Sequence, residues 1–256
     1  MRVFSIKRFF LFLEMAIIFS LLLFSPLSST KGLSLVQEAE KPVKSQDESK
    51  CTSEEQKVEL LFDIIRSRRT VREFKDTPIP EDHILKILDM ARYAPTAGNQ
   101  QTWKFVVVRQ PENLKALKQN LKEWWKEMVE SRGFKENEKQ NYIKGGHAQV
   151  DRIMTAPVYI FVFAETTVHG HYALHDGCLA VENLMLSARA MGYGTGFFTT
   201  LFPPEKVKEF LKAPEPEKLQ FICATPLGVP KQWPKMPPKK ELKEFIVYEK
   251  FEKKTN

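Results

Sequence analysis

Pro95-Thr96-Ala97-Gly98-Asn99-Gln100-Gln101-Thr102-Trp103 leads, through Lys104, into the apolar run Phe105 to Val108. A proline at its head and a glycine inside it stop a helix and begin a loop. The aromatic and β-branched run that follows reads as a short buried strand. On the near side, Glu81 to Tyr93 forms a helix introduced by Pro78 and Pro80, with Ile84, Leu88 and Ala91 on one face. On the far side, residues 113–130 read as a helix holding Trp124 and Trp125, and residues 131–150 as a polar surface excursion. Further out, Ser53-Glu54-Glu55-Gln56 has the form of a capping box for a helix with Val58, Leu61, Phe62 and Ile65 at helical spacing. Downstream come strands at Val158 to Phe163, Phe197 to Thr200 and Phe221 to Val229. The helices there are the Ala-rich Asp176 to Met191, expected at the centre of the core, and Glu205 to Leu211. The chain closes with the proline-rich run Pro230 to Pro238 and an extended segment from Phe245 to Phe251. Helices and strands mix without regular βαβ alternation, which makes the fold class α+β.

The first fifty residues stand apart from this pattern. Arg2, Lys7 and Arg8 precede a nearly all-apolar run from Phe9 to Leu27. At ~1.5 Å per residue such a run comes close to the ~30 Å of a bilayer core. Residues 1–27 are therefore a signal peptide or an N-terminal membrane anchor, and Lys7-Arg8-Phe9-Phe10-Leu11 resembles a degenerate twin-arginine export signal. The basic flank favours a cytoplasmic N-terminus, which exports the rest of the chain. Residues 28–52, rich in Ser, Lys, Glu and Gln, form a flexible tether, leaving residues 53–256 as the folded domain.

Composition removes several function classes. The three cysteines, Cys51, Cys178 and Cys223, are too few and too scattered for a disulfide framework or a cysteine metal site. His169, His171 and His175 lack a matching acidic or cysteine ligand set apart from Asp176, so no metal is expected. The formal charge of +7 falls to +5 without Arg2, Lys7, Arg8 and Glu14. No basic–aromatic stripe accompanies it, so nucleic acid is not an expected partner.

The cations concentrate instead at Arg66, Arg68, Arg69 and Arg72, with Thr70 among them. Guanidinium forks match phosphate oxygens, and a hydroxyl adds a further bond. The loop from Pro95 to Trp103 supplies small residues, which let a planar ligand approach the backbone.

Together these segments resemble the FMN-dependent nitroreductase family. Its basic pair, hydroxyl residue and further Arg before an aromatic appear as Arg68-Arg69-Thr70-Val71-Arg72 with Phe74. Its Pro-Ser-Ala/Ser-Gly-Asn-x-Gln-Pro-Trp motif appears as Pro95 to Trp103, with Thr96 for Ser and Thr102 for Pro. A helix opening on Asp176, the glycine-rich Gly192 to Thr200, and a proline-rich run ending in Lys239 and Lys240 complete the order. The resemblance spans about residues 54–250. The C-terminal half also looks like the iodotyrosine deiodinase branch.

The resemblance implies a central, mostly antiparallel sheet flanked by helices in an intertwined homodimer, with FMN as cofactor. It implies that Arg68, with Lys239 or Lys240, holds the FMN phosphate, and that Arg69 and Thr70 meet the ribityl chain and phosphate. Arg72 would lie at the pyrimidine edge, and Thr199 or Thr200 would approach flavin N5 or O4. Pro95, Thr96, Ala97 and Asn99 would come from the other protomer. The implied activity is ping-pong hydride transfer from NAD(P)H to an electron-poor acceptor such as a nitroaromatic or quinone, with no obligatory catalytic side chain. Reductive dehalogenation, or a membrane-tethered flavin relay without catalysis, are the alternatives. Trp124 and Trp125 belong either to core or dimer packing or to a lid over the flavin.

Overall fold

A computed structural model describes residues 53–167 and 170–251. The signal or anchor at 1–27 and the tether at 28–52 lie outside the described residues, as do Cys51 and His169. Among the described residues no helix is long and apolar enough to cross a membrane. Thr52–Asn256 forms one compact unit.

Helix α1 (Glu54–Ser67) starts as its sequence dictates: the Ser53 hydroxyl accepts from the Gln56 amide at 3.2 Å, and the Gln56 side chain accepts from the Ser53 amide at 2.9 Å. Its expected apolar face is left bare, since none of its residues is buried in the chain. Helix α2 (Glu81–Ala91) follows Pro80 and buries Ile84, Ile87 and Ala91. Strand β1 (Trp103–Val108) and helix α3 (Pro111–Ser131) come next. The polar stretch after α3, expected only as a surface excursion, is helical. It forms helix α4 (Glu136–Ile153), which buries Gly146, Val150 and Ile153.

Strand β2 (Val158–Glu165) is the middle of an antiparallel sheet in the order β1-β2-β3, with β3 at Leu219–Leu227. Phe105 faces Val162 across β1–β2, and Phe161 faces Ala224 across β2–β3. The alternation of β2 sorts the core into two layers. Tyr159, Phe161 and Phe163 pack with Leu117, Leu121 and Trp124 of α3, Val150 and Ile153 of α4, and Val207 of helix α6 (Pro204–Phe210). Val158, Ile160, Val162 and Ala164 pack with α2 and with Val181, Leu184 and Ala188 of helix α5 (Ala173–Ala190). Each such buried aliphatic or aromatic side chain contributes about 1.5–3 kcal/mol. The one hydroxyl in the first layer's strand face is satisfied: Tyr159 donates to the Ile153 carbonyl, and burial holds its phenol well above the usual tyrosine range.

The strand expected near Phe197 to Thr200 is reduced to isolated bridges, Gly194 with Gly228 and Phe198 with Ala224. The two bridges share one antiparallel register, which sets Gly196 opposite Pro226. Proline has no amide hydrogen to donate at that rung, so the ladder breaks in the middle. The carbonyl of Thr195 turns the other way and accepts from the Val71 amide at 2.8 Å. The C-terminal segment passes through a turn at Leu242–Glu244 and stays exposed to Phe251.

Candidate functional site

Two buried apolar side chains anchor the Arg68 to Phe74 segment. Val71 and Phe74 are buried at 1% exposure, which directs Arg72 outward and leaves Arg68, Arg69 and Thr70 half-buried. Thr70 pairs in parallel with Thr195, and the Lys75 amide donates to the Val229 carbonyl at 2.8 Å. The segment therefore lies against both the glycine-rich turn and the exit of β3. The glycines permit this approach: a Cβ at Gly194 would sit 2.7 Å from Val71 Cγ2 and 2.8 Å from Pro230 Cγ.

A cleft of about 780 Å³ opens here, within the range of small-ligand sites. Arg66, Arg68, Arg69, Thr70 and Arg72 form one wall, and the strap from Pro234 to Lys239 forms the other. The lining carboxylate, Glu182 of α5, sits 3.5 Å from Arg68 Nε. Arg69 folds back over the end of α1, where Nη1 donates to the carbonyls of Arg66 at 2.6 Å and Arg68 at 2.8 Å. Its Nε is buried without a hydrogen-bond partner. A buried donor left unpaired costs about 1–3 kcal/mol. Arg72 rests beside the Phe198 ring, 6.0 Å from its centroid.

Of the residues expected at the phosphate, Arg68, Arg69, Thr70 and Lys239 meet in this cleft, together with Arg72, expected at the pyrimidine edge. Lys240 does not line it and points to Glu244 at 3.9 Å. Thr199 and Thr200 are exposed just beyond Phe198, and neither lines the cleft. Pro95, Thr96, Ala97 and Asn99 are also absent from its walls within one chain.

That loop is fixed elsewhere. Asp176, 7% exposed in the first turn of α5, accepts the Ala97 amide at 3.3 and 3.4 Å through its two oxygens. The Thr96 hydroxyl accepts from the Gln101 amide at 3.1 Å. Between these anchors Gly98, Asn99 and Gln101 hold positive φ values of 57°, 54° and 50°. Left-handed non-glycine residues are strained and persist where their surroundings fix them.

The sequence reading missed Glu182 and the loop-anchoring role of Asp176, and it missed Arg189. Arg189 donates to the Ser67 hydroxyl at 2.9 Å and stacks 4.1 Å from the Trp233 ring centroid. The carboxylates at Asp176 and Glu182 on an otherwise apolar helix were the visible signal for the first two. Trp124 and Trp125 serve packing. Trp124 meets Phe210 edge-on at 6.5 Å, and Trp125 donates to the Tyr142 carbonyl at 2.9 Å across the α3–α4 pair. Among the described residues, no group of three or more His, Cys, Asp or Glu side chains could hold a metal. Tyr172 lies against His171 at 4.0 Å and near His175 at 6.3 Å.

The comparisons with known proteins converge on one lineage. The chain is 27% identical over 186 residues to an iodotyrosine deiodinase of Thermotoga neapolitana, covering 68% of this chain and 90% of that protein. A crystal structure of oxidised iodotyrosine deiodinase bound to FMN and 3-iodo-L-tyrosine superposes with a TM-score of 0.61 at 23% identity. That match covers 75% of this chain and all of that one. A nitroreductase with bound FMN from Bacteroides fragilis gives 0.57 at 24% identity, over 73% of this chain and 97% of that one. These likenesses establish the nitroreductase-like α+β fold. The nitroreductase family model matches residues 65–229, most of the described domain, and the chain belongs to the nitroreductase family.

Proposed function

We propose that this chain is an FMN-dependent oxidoreductase acting as a homodimer, with NAD(P)H as donor and an electron-poor nitroaromatic or quinone as acceptor. The observation that carries the reading is the cationic cleft in which Arg66, Arg68, Arg69, Arg72 and Lys239 meet around a single carboxylate, Glu182. A phosphate dianion takes Arg68 from its long contact with Glu182. Lys239 closes the same site from the strap. Arg72 places a permanent cation at the outer end of the cleft, where it favours whatever negative charge develops on a ligand beside it. When bound, FMN supplies the redox chemistry, accepting a hydride from reduced nicotinamide and passing two electrons to the acceptor.

The Pro95 to Asn99 loop, with Thr96 and Ala97 at its turn, completes the pocket from the partner protomer in this reading. The bare apolar face of α1 and the exposed apolar C-terminal segment support a second copy as its neighbour. Residues 1–27 tether the domain to a membrane or export it, and protease protection in spheroplasts reports the side.

The test is direct. Full-length protein purified in mild detergent should be yellow or become so with added FMN, and anaerobic NADH or NADPH should bleach it. A colourless protein that takes up no FMN overturns the reading. Similarity to the deiodinase of Thermotoga neapolitana supports a second reading, reductive dehalogenation, which turnover of halotyrosines under the same conditions would establish.

A further inference from the structure

A second groove, of about 500 Å³, continues from the Arg72 end of the first. The two share Thr70, Arg72, Pro234 and Lys235. Four cations from distant parts of the chain converge in the second groove: Arg72, Arg152, Lys231 and Lys235. The carboxylate among them is Glu73, and it is already engaged with Arg152 Nε at 2.9 Å. Among the described residues no carboxylate lies within ion-pair distance of Arg72, Lys231 or Lys235.

The groove is held rigidly. The Lys231 amide donates to the Glu73 carbonyl at 3.1 Å, and Trp233 is clamped between the core and the Arg189 guanidinium. Gathering like charges on a fixed frame costs Coulomb energy that a bound anion returns. FMN accounts for the Arg68–Lys239 end and for Arg72, Glu73 answers Arg152, and Lys231 and Lys235 are left unanswered.

We infer that this second groove binds the pyrophosphate of the reduced dinucleotide donor. The inference rests on the FMN reading above. The chain has no glycine-rich dinucleotide fingerprint, and the groove offers cationic side chains for a donor's phosphates instead. The groove adjoins the cleft at Arg72. A donor held there by its phosphates keeps its nicotinamide end next to the cleft.

The experiment uses FMN-loaded full-length protein, with ADP as the probe of the pyrophosphate site. Calorimetry should detect ADP binding that weakens as salt rises, with adenosine silent. Lys231→Gln should weaken ADP several-fold, and Lys231→Gln with Arg152→Gln about tenfold or more, the loss expected for charged hydrogen bonds. FMN affinity should hold, because both residues lie outside the first cleft. In turnover the same variants should raise KM for NADH and NADPH by a like factor. Reduction by 1-benzyl-1,4-dihydronicotinamide, which carries no phosphate, should stay unchanged. Unaltered ADP affinity in both variants overturns the inference, as does an equal loss with the benzyl donor. Inorganic phosphate binding as tightly as ADP overturns it too, since the groove is then a general anion patch. Failure of FMN uptake overturns the functional reading itself and is seen before any ADP is added.

Discussion

Arg68 and the Asp176 carboxylate are the two charged groups on which the proposed site depends most. One lines the cleft beside Glu182, and the other is a buried acceptor that fixes a strained loop. We predict that Arg68→Ala weakens FMN binding by about 1.5–3 kcal/mol, the worth of a charged hydrogen bond, as read by fluorescence titration. Unchanged affinity would count against the phosphate assignment. Arg72→Gln should act on redox chemistry rather than on retention. Removal of the cation lowers the flavin midpoint potential, by about 30 mV for each tenfold loss in relative affinity for the two-electron reduced form. A redox titration that finds no negative shift places Arg72 away from the flavin. Asp176→Ala leaves the Ala97 amide unpaired and should cost about 1–3 kcal/mol of stability in urea, together with FMN affinity. Asp176→Asn keeps an acceptor and should recover most of both. The arginines were legible as a charge cluster, but their division of labour was not. Arg69 turns back onto α1 and Arg68 meets Glu182, which depends on a helix more than a hundred residues downstream.

The elements show where one-dimensional patterns fail. Helix α4 escaped detection because its buried face is made partly of glycine. A Cβ at Gly146 would lie 1.9 Å from Trp125 Nε1, so the contact is a flat indole against bare backbone, which no count of apolar residues registers. We predict that Gly146→Ala displaces Trp125, breaks its bond to the Tyr142 carbonyl and costs about 1–3 kcal/mol through overpacking. A urea midpoint equal to that of the parent protein would contradict this packing. The strand near Phe197 to Thr200 failed for a different reason. Its residues suit a strand, but after the Phe198 bridge the chain turns, with the Phe202 amide donating to the Thr199 carbonyl at 3.0 Å, and Pro226 interrupts the ladder just before it, opposite Gly196. Strands β1, β2 and β3 were legible because buried apolar runs bounded by turn residues leave few alternatives.

At the scale of the whole molecule, a single chain leaves too much apolar surface uncovered. Leu60, Leu61 and Phe62 on α1, and Phe245, Tyr248 and Phe251 near the C-terminus, are exposed together. Soluble monomers rarely expose extended apolar patches, so these surfaces call for a partner. We predict that the protein sediments at twice its 29.7 kDa chain mass, allowing for detergent. Deletion of residues 241–256 should yield monomer or aggregate and lower FMN affinity, because the proposed dimer needs the Pro95 to Asn99 loop of the second copy to complete its pocket. A monomer that binds FMN with full affinity would refute the shared site.

Local chemistry fixed what the sequence alone could determine. The capping box at Ser53, the proline-led start of α2, the stop at Pro95 and the period of each buried run depend on neighbours a few residues apart. The order of motifs identified the family for the same reason, since each motif is contiguous. The tertiary structure decided everything that depends on distant residues meeting. It paired Arg68 with Glu182 and seated the Ala97 amide on Asp176. It ended the fourth strand in a turn after Phe198 and set Lys239, rather than Lys240, in the cleft. It also gathered Arg72, Arg152, Lys231 and Lys235 into one groove, where charges spread over the sequence become a single field.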